Sequence, residues 1–209
     1  MNVIPETPQN SLGNNGRSQR GFSLIEMLIV VCVILIVSAM AIIQYQPALL
    51  QFRANAGEAE VKGALRQGRE TAVSERAPVL LTFGADAFGN STVSLTQVSQ
   101  TGVVAGAPFS TIPIQPGVNF GLTAGEPDTP DGFGKSSAIY FGGAAYAVGT
   151  ILEFQSDGSF TNANGIPVNG TVFLTATRGN LVAGRALTIL GTTGRIKSWS
   201  GTGPGWFQQ

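Results

Sequence analysis

The chain has 209 residues with 12 basic and 12 acidic side chains, no histidine and one cysteine, Cys32. Zero formal charge gives no bulk attraction for nucleic acid or a membrane surface. The missing histidine removes the commonest metal ligand and general acid–base, together with every Ser-His-Asp or Cys-His arrangement, so no enzyme and no cofactor is expected.

Residues 1–20 are polar, with Pro5, Pro8, Asn14, Asn15 and Gly16, and read as a disordered leader. The stretch 22–43 that follows is apolar except for the small polar Ser23 and Ser38 and a single carboxylate, Glu26. A membrane-spanning helix needs about 20 apolar residues. An ionisable group inside such a stretch is costly and points to function. Arg17 and Arg20 precede the run and the next charge after Glu26 is Arg53, an asymmetry that places the N-terminus in the cytoplasm and the rest across the membrane. Cys32 sits within the run as a small apolar residue.

Glu26 acquires a partner if the chain is cut between Gly21 and Phe22. The new amine of Phe22 then lies four residues from Glu26, on one helix face and roughly 6 Å away at about 1.5 Å per residue. A terminal ammonium opposes the helix dipole and a carboxylate offsets it. Two other readings fit the apolar run. One is a secretory signal with Ala39-Met40-Ala41 as its cleavage site, and the other is an uncleaved anchor. The mature chain would begin at Phe22, Ile42 or Met1 respectively.

Beyond the run, Pro47 should kink the helix or loosen one turn. Helical spacing resumes along Leu50, Ala54, Gly57, Val61, Leu65, Gly68 and Ala72, a stripe whose small residues would let the helix lie close to a sheet. Glu58 with Lys62, and Arg66 with Glu70, are spaced as i,i+4 pairs on the outer faces. Ala77-Pro78 ends the helix. Strands are expected at 79–83, 92–98, 138–141, 150–154, 172–177, 186–190 and 195–199, with hairpin turns at Asp157-Gly158 and at Gly191 to Gly194. Residues 121–134 read as a mobile surface loop. The segments are therefore a leader (1–21), a transmembrane helix (22–45), an amphipathic extracytoplasmic helix (46–77) and a β-rich domain (78–209). The fold class is α+β, a long N-terminal helix packed on an antiparallel sheet.

The run Gly21-Phe22-Ser23-Leu24-Ile25-Glu26, with the apolar stretch directly after it, resembles the type IV pilin class. The resemblance implies that a prepilin peptidase cuts after Gly21 and methylates the amine of Phe22, and that Glu26 pairs with the amine of a neighbouring subunit during assembly. The C-terminal part resembles the minor pseudopilin H of type II secretion, the GspH/FimT-like group. The similar pieces are Arg76-Ala77-Pro78-Val79, Leu152-Glu153-Phe154 with Asp157-Gly158, and 186–190 with Thr193-Gly194-Arg195-Ile196. This implies a single-pass inner-membrane subunit with a periplasmic domain, which joins a filament serving protein secretion. Its partners would be the peptidase, other pilin or pseudopilin subunits and membrane lipid. Retention of Glu26 implies a place below the filament tip. The alternative is a FimT-like pilus subunit that binds DNA for uptake. Residues 158–209 contain Arg178, Arg185, Arg195 and Lys197 with no acidic residue, and Trp199 and Trp206 lie nearby. Cations there would contact phosphates and aromatic rings would stack on bases.

Overall fold

The computed structural model describes residues 21–99, 106–147, 149–202 and 205–209. The chain divides into two compact units, Met1–Ile43 and Gln44–Gln209. Helix α1 is Leu24–Glu75. Its first bond runs from the Met27 amide to the Ser23 carbonyl (3.1 Å), which makes Ser23 the N-cap. Ser23 and Glu26 then hold the Ser-x-x-Glu positions of a capping box. In the first unit every described side chain from 21 to 42 is exposed. The helix is long and apolar enough to cross a membrane, with a mean hydropathy of 2.9 in its most apolar window. Pro47 lies inside α1 without ending it, and a proline there costs the helix one backbone bond.

In the second unit all seven stripe positions of α1 are buried. Gly57 and Gly68 are the points of closest approach. A Cβ on Gly57 would lie 2.8 Å from Cγ1 of Val118, and one on Gly68 would lie 3.2 Å from Cδ2 of Leu95. The helix ends in a Schellman motif, with Arg76 left-handed (φ 52°) and the Ala77 amide bonded to the Ala72 carbonyl at 3.2 Å. Pro78 then forbids continuation.

Twelve strands follow among the described residues: β1 (Val79–Ala85), β2 (Ser91–Gln97), β3 (Ser110–Pro113), β4 (Val118–Phe120), β5 (Ile139–Phe141), β6 (Ala144–Tyr146), β7 (Ile151–Phe154), β8 (Phe160–Thr161), β9 (Gly170–Arg178), β10 (Leu181–Leu190), β11 (Arg195–Thr202) and β12 (Gly205–Gln208). They form two antiparallel sheets rather than one. The first has the order β3-β2-β1-β7-β8 and the second β12-β11-β10-β9-β5-β6, with β4 also on β9. Both expected hairpins are present. Gly158 (φ 82°) turns β7 into β8, and Gly194 (φ 61°) turns β10 into β11. The short strands β3, β4, β6, β8 and β12 were not among those expected from the sequence.

One continuous core joins α1 to both sheets. It takes Leu50, Val61 and Leu65 from the helix, Leu81, Phe83, Leu95 and Phe154 from the first sheet, and Val172, Leu174, Leu187 and Ile189 from the second. Fully burying such a side chain contributes about 1.5–3 kcal/mol. The opposite face of the second sheet carries a smaller cluster of Phe173, Ala186 and Trp199, with Trp206 packed against it. Residues 121–134 fasten onto that face instead of standing free. Asp131 accepts bonds from Thr188 (2.6 Å) and Lys197 (2.5 Å), and the Pro127 carbonyl accepts the Trp206 indole N–H at 2.9 Å. The loop thus supplies the acceptor for the half-buried Trp206 indole, while the buried Trp199 indole donates to Thr188 Oγ1 of β10 at 2.9 Å.

Two expected surface pairs are also corrected. Glu58 is 4 % exposed and faces the sheet, and Lys62 donates to Ser198 Oγ at 2.5 Å. Both belong to a polar stripe beside the apolar one, so neither is on an outer face. Arg66 and Glu70 are exposed as expected, yet they form no ion pair.

Candidate functional site

The N-terminal candidate residues lie on accessible chain. Gly21 has nothing within 4 Å of where a Cβ would stand, and Phe22 is 78 % exposed. Phe22 and Ser23 precede the first turn of α1, so with Gly21 still bonded the amine-to-carboxylate spacing of a continuous helix is not formed. Glu26 is exposed in the first turn, where the aligned peptide dipoles favour a carboxylate. Its position therefore has a local reason as well as any intersubunit one. Beyond it, residues 27–42 present a wholly apolar surface, apart from Ser38, that nothing else in the described chain covers.

The four basic residues singled out in the sequence are not one patch. Arg178 is exposed at the end of β9, opposite Leu181 at the start of β10. Arg195 lies opposite Leu190 at the other end of β10, nine steps or roughly 30 Å away. Lys197 is held by Asp131, and its ammonium stands 5.6 Å from the centre of the Trp199 ring. Arg195 and Lys197 do line one cleft of about 110 Å³, with Asp131 and Phe133.

Arg185 is the plainest departure from the expectation of phosphate contact. It is 2 % exposed and points at α1. Its Nη2 donates to Gln51 Oε1 (2.7 Å) and Asn55 Oδ1 (2.7 Å), its Nε to Asn55 Oδ1 (2.9 Å), and its Nη1 to the Gly184 carbonyl (2.7 Å). Glu58 Oε2 lies 3.5 Å from Nε and makes no hydrogen bond of its own. Burial pushes the Glu58 carboxyl above its ordinary range, while the Ser198 hydroxyl and the charges of Arg185 and Lys62 act against it. Burial likewise lowers the Arg185 guanidinium, against the pull of Glu58 and Glu126. The loop residue Glu126 is also raised by burial, over the glycines Gly184 and Gly201 that leave room for it. One signal of this network was in the sequence, because Arg185 is the only charge in β10. A lone charge in an otherwise apolar strand requires a buried partner.

Residues 16–42 match the family described as the prokaryotic N-terminal methylation motif. The chain carries a type IV pilin-like prepilin signal. The matched segment contains Gly21, Phe22 and Glu26 in register with the apolar helix. The family that carries this motif is structural rather than catalytic, and the motif implies processing by a prepilin peptidase and assembly with other pilin subunits. The one helix among the described residues that is long and apolar enough to cross a membrane is compatible with single-pass anchoring. No curated protein and no solved structure matches the chain.

Proposed function

We propose that this chain is a minor pseudopilin, of the GspH/FimT-like kind, that assembles into a periplasmic filament of a type II secretion system. The observation that carries the reading is the methylation motif at 16–42, set on a helix whose apolar surface is uncovered from residue 27 to 42 apart from Ser38. Residues 1–21 are the leader removed on maturation, 22–45 the inner-membrane span with its N-terminus cytoplasmic, 46–77 the extracytoplasmic helix and 78–209 the periplasmic domain. Cleavage after Gly21 frees the amine of Phe22, which is then methylated. Glu26 pairs with the amine of a neighbouring subunit, while the apolar helices pack side by side.

In this reading the packing energy comes from the apolar helices, and the ion pair sets register. A carboxylate left unpaired in hydrocarbon costs a few kcal/mol, so misaligned neighbours are disfavoured. The test is co-purification with the major subunit from the native host. Glu26→Leu should insert and be cleaved normally, yet be recovered with filaments at a small fraction of the wild-type level. Wild-type recovery of the Leu variant would remove the role given to Glu26.

A further inference from the structure

A second cleft in the globular unit, about 450 Å³, opens on the face of the second sheet that looks away from α1. Its floor is Gly184 of β10 and Gly201 of β11, and its walls are residues 123–126 of the loop and Val182 of β10. Successive strand residues alternate between faces, so Gly184 lies with Ala186 on the side of Trp199, while Arg185 lies with Leu187 on the side of α1. Glu126 fills the room that the two glycines leave. Its Oε1 stands 2.7 Å from where a Cβ of Gly201 would be, and a Cβ on Gly184 would overlap it.

Glu126 is the only charged residue among those that line this cleft. Among the described residues it forms no ion pair. Its carboxylate takes hydrogen bonds from Thr123 alone, the amide standing 3.3 Å from Oε2. Lys135, just past the loop, directs its ammonium to the Glu126 carbonyl at 2.6 Å rather than to the carboxylate. Arg185 acts from the other side of the sheet, where Gln51, Asn55 and the Gly184 carbonyl hold its guanidinium. Burial raises the Glu126 carboxyl, and Thr123 with the charges of Arg185 and Lys135 only partly offsets it. The rim, by contrast, is apolar. Val182, 46 % exposed, lines the cleft together with Ala124.

A half-buried carboxylate without a counter-charge is costly. One with an apolar rim fits a side chain that has a methylene stem and a cationic head. We propose that this cleft binds a lysine or arginine side chain of a partner protein, with the stem on Val182 and Ala124 and the head on Glu126. The proposal stands independently of the filament reading, since every residue belongs to the globular unit. Cleavage before Phe22, or its absence, leaves the cleft as it is.

The test uses the full-length protein in an uncharged detergent, at about pH 8 and about 50 mM salt, where charges are weakly screened. Saturation-transfer difference NMR titrates Nα-acetyl-lysine amide and Nα-acetyl-arginine amide. The glutamine amide serves as a neutral stem, and methylguanidinium as a bare head. Saturable binding is expected for one or both cationic amides and not for the glutamine amide. Glu126→Gln keeps the shape and removes the charge, and should weaken that binding about tenfold or more. Glu75→Gln, which alters an exposed carboxylate at the end of α1, should leave it within about twofold. Binding of neither cationic amide, equal affinity for the glutamine amide, or unchanged binding in Glu126→Gln overturns the proposal. Equal loss in Glu75→Gln overturns it too. Methylguanidinium that binds as tightly as the cationic amides assigns the cleft to a small free cation and overturns its assignment to a partner's side chain. Unchanged circular dichroism shows that both variants fold.

Discussion

Replacing Arg185 by methionine removes the counter-charge of Glu58 while keeping a side chain of comparable length. Gln51 and Asn55, its two other side-chain partners, are exposed and can turn to water. Glu58, 4 % exposed, cannot. Breaking a buried pair by removing one member costs about 3–5 kcal/mol, because it strands the other charge. Lys62 and Ser198 remain as partial partners of Glu58, which puts the expected loss near the lower end, about 3 kcal/mol. With a urea slope of about 2 kcal/mol per molar, the midpoint should fall by about 1.5 M. The two tryptophans, Trp199 and Trp206, both lie in β11 and β12, so their fluorescence reports the globular unit even in a detergent-held full chain. The double variant Arg185→Met plus Glu58→Leu should recover most of the loss, since an apolar replacement of a buried pair is often neutral or stabilising. The pH dependence has a definite sign. The folded Glu58 carboxyl titrates above its ordinary 4.5, so its contribution is most favourable below that value and is lost as pH rises through the folded value. The Arg185→Met deficit should therefore shrink as pH is lowered from 8 toward 4.5. A single variant within about 0.5 M of wild type, or a double variant worse than the single, would refute this account of the network.

The helix glycines give two predictions of opposite sign. Gly57→Val places a Cβ 2.8 Å from Val118 Cγ1 and should lower stability by about 1–3 kcal/mol in the same urea assay. Gly63→Ala, on the exposed face of α1 with nothing within 4 Å, should raise it by about 1 kcal/mol.

The sequence was most legible where one periodicity spoke alone. The stripe from Leu50 to Ala72 has helical spacing, and all of it is buried. The strands β1, β7, β9 and β11 overlap their expected spans because apolar residues recur at every second position or in dense Val, Leu and Ile runs. Strands β3, β4, β6, β8 and β12, two to four residues long, are too short to show a period, and β4 is fixed by a partner far along the chain, β9. Glu58 and Lys62 were misplaced because an i,i+4 pair reads the same on either side of a helix. Their location beside Gly57 and Val61, together with the lone Arg185, was the available clue. The strap at 121–134 has a turn composition, and only the tertiary position of Trp199 and Trp206 shows what it covers. At the candidate N-terminal site, Gly21, Phe22 and Glu26 stood out in the sequence because they adjoin the apolar run, and all three fall within the matched motif.

In the proposed function, assembly turns on an amine that does not exist until the peptide bond before Phe22 is broken. Mass spectrometry of the mature protein from its native host should find a chain that begins at Phe22 and carries a methyl group on its terminal nitrogen. A mature chain that retains residues 1–21, or that starts at Ile42, would contradict it.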